Sequence, residues 1–214
     1  RESGLEFRCT KVYQSKFMEL PGAPATYALI IANLVPSIYA LSFDRGFTGS
    51  YAFNVGALIH RKQHYRIFTS SFLHGDYFHL LFNMMTLWFF GPAVERLLGT
   101  DGFLVVYFGA IFASGVVSFY ANRDNLAYTS LGASDGVSGV ILSFCLFAPL
   151  HPIYFMFVPI PIPAIVYGVL FMLISASMMG GGGRIAHEGH LGGAVAGVIL
   201  TLLMRPEILA QTFG

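Results

Sequence analysis

Apolar residues in this chain come in long runs rather than in alternation with polar ones. Six runs approach the roughly 20 residues that a bilayer-spanning helix needs. They are Ala25–Phe43, Tyr77–Leu98, Gly102–Ala121, Leu131–Phe147, Ile162–Met179 and Ala186–Met204. Five are closed by polar or helix-stopping residues: Asp44-Arg45, Glu95-Arg96, Asn122-Arg123-Asp124, Pro149 with Pro152, and Arg205-Pro206. The start of the fifth is ambiguous, because Ile153–Val158 is apolar enough to join it or to form a membrane-surface loop. The longest connection, Asp44–Asp76, mixes aromatics with Arg45, Arg61, Lys62 and Arg66. Such a mixture suits a segment lying in the membrane interface. Gly180–Gly183 reads as a flexible joint before the sixth run.

Composition agrees with that pattern. Charged residues make up 11% of the 214 and hydrophobic ones 55%, against about 25% charged in soluble domains. So few charges cannot cover the surface of a water-soluble globule, and disorder is excluded because its signature is the reverse. An integral, multi-pass membrane protein remains. A net charge of +1 provides no basic field for nucleic acid. Of the two cysteines, Cys9 and Cys145, the second lies inside an apolar run, which argues against a disulfide framework. The chain divides into a polar tail at 1–24, a six-helix membrane domain at 25–205 and a short tail at 206–214. Lys and Arg fall six on each side of such a bundle. Arg1, Arg8, Lys11 and Lys16 in the tail tip the N-terminus towards the cytoplasm, and a bacterial inner membrane is the expected location.

Ionisable groups inside a membrane are costly and default to functional candidates. Here they are His79, Glu95, Asp135, His187, Glu188 and His190, joined by the polar Asn83, Ser134 and Ser138. Even-numbered spans all begin on the side opposite the termini. His79 and Asn83 open the second, Ser134 and Asp135 the fourth, His187 and His190 the sixth, so the set converges at one depth. His79 and Asn83, at i and i+4, share a helical face; they serve either helix–helix hydrogen bonding or a common site. The small residues of Gly132–Gly139 permit close helix approach. His190, Gly193 and Gly197 share one stripe, which places a histidine beside a small-residue packing face. His187, Glu188 and His190 invite a metal reading, but they are one residue short of His-Glu-x-x-His and no third ligand is evident. Neither a metal nor a cofactor is expected.

Taken together these motifs resemble the rhomboid intramembrane serine proteases, over about Arg61–Arg205. The family's His-x-x-x-Asn is similar to His79–Asn83, its aromatic-Arg pair to Tyr65-Arg66 and its Glu-x-x-x-Gly to Glu95–Gly99. Its Gly-x-Ser-Gly is similar to Gly132-Ala133-Ser134-Asp135. Its His-x-x-Gly-x-x-x-Gly helix is similar to His190–Gly197. All stand in family order. Two departures occur: Tyr65 takes the usual tryptophan place, and Asp135 follows Ser134 where glycine is usual. A strict Gly-x-Ser-Gly recurs at Gly136-Val137-Ser138-Gly139, so two registers compete, and Ser138 lies about one turn deeper.

The resemblance implies an all-α, six-helix bundle and a Ser–His dyad. Ser134 is the expected nucleophile and His190 the base. His79 and Asn83 are the oxyanion-stabilising donors, and Gly132, Gly193 and Gly197 the packing residues near the site. The implied partners are transmembrane protein substrates and the lipid bilayer. Asp135 could repel an oxyanion, cap the fourth helix or be held protonated. The competing class is a proteolytically inactive rhomboid-like protein that binds transmembrane helices. A channel or transporter would need a polar path across the bilayer rather than polar groups at one level.

Overall fold

The structure, a computed structural model, describes residues 22–154, 161–177 and 187–208. Among the described residues, two helices are long and apolar enough to cross a bilayer: α1 (Pro24–Ser42) and a later one of 46 residues. Between them the connection folds into α2 (Arg45–Tyr51), the short strand β1 (Phe53–Asn54), α3 (Val55–Arg61), α4 (Arg66–Thr69) and a 3-10 turn at Ser70–Phe72. The 46-residue helix, α5 (Tyr77–Asn122), is interrupted at Gly99, whose φ of 77° is not helical. Its halves correspond to the second and third apolar runs. After it come β2 (Thr129–Ser130), α6 (Ser134–Phe147), the strands β3 (Pro152–Tyr154) and β4 (Pro161–Pro163), α7 (Ala164–Ser177) and α8 (His187–Met204).

Three boundaries differ from those the hydrophobic runs suggest. The fourth helix starts at Ser134 rather than Leu131, because Gly132 takes a φ of +131° and ends an extended approach. The fifth starts at Ala164, because Pro161–Pro163 pairs antiparallel with Pro152–Tyr154; proline lacks the N–H that a helix would use. The gap between the second and third runs shrinks to Gly99, with Thr100 and Asp101 already helical. Gly180–Gly183 and residues 1–21 lie outside the described residues.

The core is made by both halves of α5 packing with α6 and α8, around Phe103, Val106, Tyr107, Val140 and Ala194, all essentially inaccessible. The outer faces are also apolar: Ile31, Phe89 and Leu203 are 61%, 68% and 74% exposed. A water-soluble helix would place charged residues there. At the other end, Glu95 fixes α1 to α5. Its carboxylate accepts from the Ala25 and Thr26 backbone N–H groups at 3.0 and 2.8 Å, the Thr26 hydroxyl at 2.7 Å and the Thr100 hydroxyl at 3.0 Å. It thereby satisfies first-turn donors of α1 that have no intrahelical partner.

Close approach of α6 and α8 depends on three glycines. A Cβ on Gly197 would lie on the backbone of Gly139, and one on Gly193 on the carbonyl of Asp135. A Cβ on Gly139 would come within 2.6 Å of the Ala110 Cβ on α5 and 3.2 Å of the Gly193 carbonyl. With backbone on both sides, neither helix can yield by turning a side chain. Gly197→Val is therefore expected to lower stability by about 1–3 kcal/mol, the usual cost of overpacking. Thermal unfolding in detergent checks this, and an unchanged midpoint would contradict the contact.

Candidate active site

The site begins with the loop before α6. The Asn54 side chain caps α3 by accepting from the Ala57 N–H at 2.7 Å, and its amide donates to the Tyr128 carbonyl at 3.2 Å and the Thr129 hydroxyl at 3.1 Å. β1 pairs with β2, Phe53 opposite Ser130 and Asn54 opposite Thr129. The buried Arg66 braces the same platform, donating from Nη1 to the Gly49 and Ala52 carbonyls at 3.0 and 2.8 Å and from Nε to Gln63 at 2.7 Å. From β2 the chain runs into Gly132, whose N–H donates to the Ser70 carbonyl at 3.1 Å, and so delivers Ser134 as the first residue of α6.

His190, in the first turn of α8, places Nε2 2.7 Å from the Ser134 hydroxyl oxygen. The Ser138 hydroxyl, one turn deeper and buried, donates back to the Ser134 carbonyl at 2.6 Å. His79 lies against the loop: a Cβ on Gly132 would fall 2.6 Å from its Cε1, 2.9 Å from its Nε2 and 3.4 Å from the Ser134 hydroxyl. Gly132 is thus required twice, by its positive φ and by the imidazole beside it. Asn83 is buried one turn along from His79 and donates from its side-chain amide to the His79 carbonyl at 2.9 Å. The Asp76 side chain caps α5 by accepting from the His79 N–H at 2.8 Å.

Two acidic residues stand beside the pair. The Asp135 carboxylate meets α8 at Gly189, where an added Cβ would sit 3.0 Å from its Oδ1, 2.6 Å from the Ser114 hydroxyl and 3.0 Å from that of Ser118. Glu188 accepts from the Tyr128 hydroxyl at 2.6 Å and from the Asn122 amide at 2.9 Å. Burial first, and then this carboxylate, push the Tyr128 phenol above its ordinary range, so it stays a neutral donor.

Pattern reading from the sequence missed His74, which sits in a loop rather than inside an apolar run. It is fully buried. Its Nε2 faces the Ala133 N–H at 3.4 Å and its Nδ1 the Ser37 hydroxyl at 2.8 Å. An Nε2 that accepts leaves the proton on Nδ1. Nδ1 then donates to Ser37, whose hydroxyl donates to the Phe72 carbonyl at 2.9 Å. His74 thereby holds the backbone one residue before Ser134 and links it to α1. Its ring also meets His79 edge-on, centroids 5.0 Å apart.

A bundle of apolar helices with apolar outer faces and a Ser–His contact at one end defines a class of helical membrane protein. Its family is settled by comparison: the Rhomboid domain family matches residues 61–207, and the chain belongs to the rhomboid family. Similar curated proteins include Rhomboid protease GluP of Bacillus subtilis, 28% identical over 82% of this chain and 34% of that protein. Rhomboid protein 1, mitochondrial, of Saccharomyces cerevisiae is 31% identical over 62% of this chain and 40% of its own length. Presenilin-associated rhomboid-like protein, mitochondrial, of Homo sapiens is 31% identical over 60% and 35%. The matches thus cover about a third to two fifths of these relatives' lengths.

The His74 contacts make a pH prediction. Burial, and secondarily His79, lower its pKa to about 3 against the opposing pull of Asp76. Free imidazole titrates near 6.5, so the unfolded chain takes up the proton first. The stability contribution is complete above about pH 6.5 and is lost as pH falls towards 3. Between pH 6.5 and 5, this group is expected to cost the wild type up to about 1.4 kcal/mol per pH unit. Thermal unfolding of wild type and His74→Gln across that window should diverge, the wild type being steeper. Parallel profiles would contradict the assignment.

Proposed function

We propose that this chain is an intramembrane serine protease that cleaves transmembrane segments of membrane proteins. The observation that carries the reading is the 2.7 Å approach of His190 Nε2 to the Ser134 hydroxyl, within reach for proton transfer from a nucleophile to its base. Ser134 attacks the scissile carbonyl; His190 takes its proton and later returns it to the leaving amine. His79 and Asn83 are the donors to the developing oxyanion, Asn83 by turning its amide away from the His79 carbonyl that it meets here, helped by the Ser134 N–H at the positive end of the α6 dipole. Ser138 stays outside the reaction, since it is buried one turn deeper and the His190 contact goes to Ser134. No metal or cofactor enters this scheme.

In the bilayer, the proposal places α1, the two halves of α5, α6, α7 and α8 as six crossing helices. α6 has 14 residues, about 21 Å at 1.5 Å per residue, against a hydrocarbon core of about 30 Å. A helix that short begins below the membrane surface, and Ser134 stands at its start under the platform formed by α2–α4. Water reaches that depth from the platform side, which hydrolysis requires. The four basic residues of the tail put the N-terminus in the cytoplasm.

Cleavage of a model transmembrane substrate by the purified protein in detergent tests the reading. Ser134→Ala and His190→Ala are each expected to abolish cleavage with the fold intact, and the double variant to be no worse than either single one, because members of one catalytic unit are not additive. Ser138→Ala is expected to stay within about tenfold of wild type, far from the 10³-fold or greater losses of a missing nucleophile. Cleavage that survives Ser134→Ala would overturn the assignment. A wild type that binds but never cuts the substrate would make the chain a non-catalytic helix-binding relative.

Asp135→Gly separates two effects of the carboxylate beside Ser134. With Asp135 directed at Gly189, Ser114 and Ser118, the change is expected to leave cleavage within about tenfold. Removing a charge that opposed the oxyanion would raise the rate by the 10²–10³ typical of one such interaction.

A further inference from the structure

Away from the Ser134–His190 pair, the loop platform holds a cavity of about 420 Å³ lined by Arg66, Arg61, His60, Asn54 and Thr129 together with three small residues. That volume lies within the range of small-molecule sites. None of its lining residues is acidic. Arg66 is only 5% exposed, and all its hydrogen bonds go to neutral acceptors, the Gly49 and Ala52 carbonyls and the Gln63 amide, through Nη1 and Nε. Among the described residues, nothing bonds its Nη2 and no carboxylate pairs with it. A guanidinium withdrawn from water without a counter-ion is costly, and this one lines a cavity that adds a second arginine and a histidine. Arginine's planar fork suits phosphate oxygens.

We propose that this cavity binds a phosphate oxyanion, with Arg66 as its buried donor and Arg61 and His60 at its mouth. Exposed Tyr51, Ile59 and Tyr65 flank these residues in sequence, and Tyr51 and Tyr65 approach each other with ring centroids 6.3 Å apart. Tyrosines at this level are typical of a membrane interface, which brings the phosphate of an anionic phospholipid within range. The free anion is the other source of the same chemistry. The proposal does not depend on proteolytic activity.

Thermal unfolding of the full chain in detergent, titrated separately with phosphatidylglycerol, phosphatidylcholine and inorganic phosphate, tests it. Phosphatidylglycerol is expected to raise the midpoint and phosphatidylcholine to raise it less. Because Arg66 also braces the platform, the variant to use is Arg61→Gln with His60→Gln. It is expected to weaken the apparent phosphatidylglycerol affinity by about threefold or more, the scale of an exposed charge contact. Arg123→Gln, outside the cavity, should leave it unchanged. Stabilisation by inorganic phosphate that is lost in the same double variant supports the site and makes the free anion its ligand. Equal stabilisation by the two lipids with none by phosphate, or equal weakening by Arg123→Gln, would overturn the proposal.

Discussion

The contact on which the rest of this structure depends is the one between α6 and α8 at Gly139, Gly193 and Gly197. Lipid supplies no hydrophobic drive to press helices together, so close packing of small residues has to hold the interface. Here backbone meets backbone, the Gly197 position resting on Gly139 and Gly193 on the Asp135 carbonyl. The two helices can then stand close enough for a side chain at the start of one to reach a side chain at the start of the other. Ser134 opens α6, His190 lies in the first turn of α8, and a methyl group between the helices would separate them.

Nearness of helix axes does not by itself fix the first residues of a helix, where hydrogen bonds are incomplete. Ser134 is fixed by the loop before it: the Gly132 N–H on the Ser70 carbonyl, the Ala133 N–H on His74, and β2 zipped to β1. His190 is fixed by Glu188 two residues earlier, which takes the Tyr128 hydroxyl and the Asn122 amide. Tyr128 lies just before β2, so the same loop that delivers Ser134 also holds the start of α8. The platform and the pair are parts of one hydrogen-bonded assembly. Arg66, far from either side chain in sequence, belongs to it by bracing the turn from which α4 and the Ser70 carbonyl follow.

The helical segments were legible in the sequence because long, nearly uncharged apolar runs favour helices; each run has a helical counterpart among the described residues, at slightly shifted bounds, and Pro24–Ser42 and Tyr77–Asn122 are long and apolar enough to cross a bilayer. The shifts lie where local backbone geometry overrides hydropathy: Gly132, the prolines of β4, and Gly99. The convergence of His79, Ser134 and His190 followed from counting helices, which needs no side-chain geometry. Their separation did not, since it depends on which glycines face which backbone. His74 and the Glu188 contacts were invisible for another reason. Both join residues roughly 60 apart in sequence, and no periodicity marks a hydrogen bond of that kind.

Asp135 shows how a departure from a family pattern is accommodated. A glycine after Ser134 would leave the face of α6 towards Gly189 bare. An aspartate fills it, and the positions it meets are small: Gly189 opposite, with Ser114 and Ser118 beside that same point. A larger residue at 189 would collide with all three groups. Asp135, Gly189, Ser114 and Ser118 therefore form a set in which each residue type is explained by the others. The set lies on the side of Ser134 that faces α8 and the second half of α5, while His79 approaches from the side of Gly132. Asp135 is thereby committed to the contact between α6 and α8, and the flank of Ser134 next to Gly132 is left to His79.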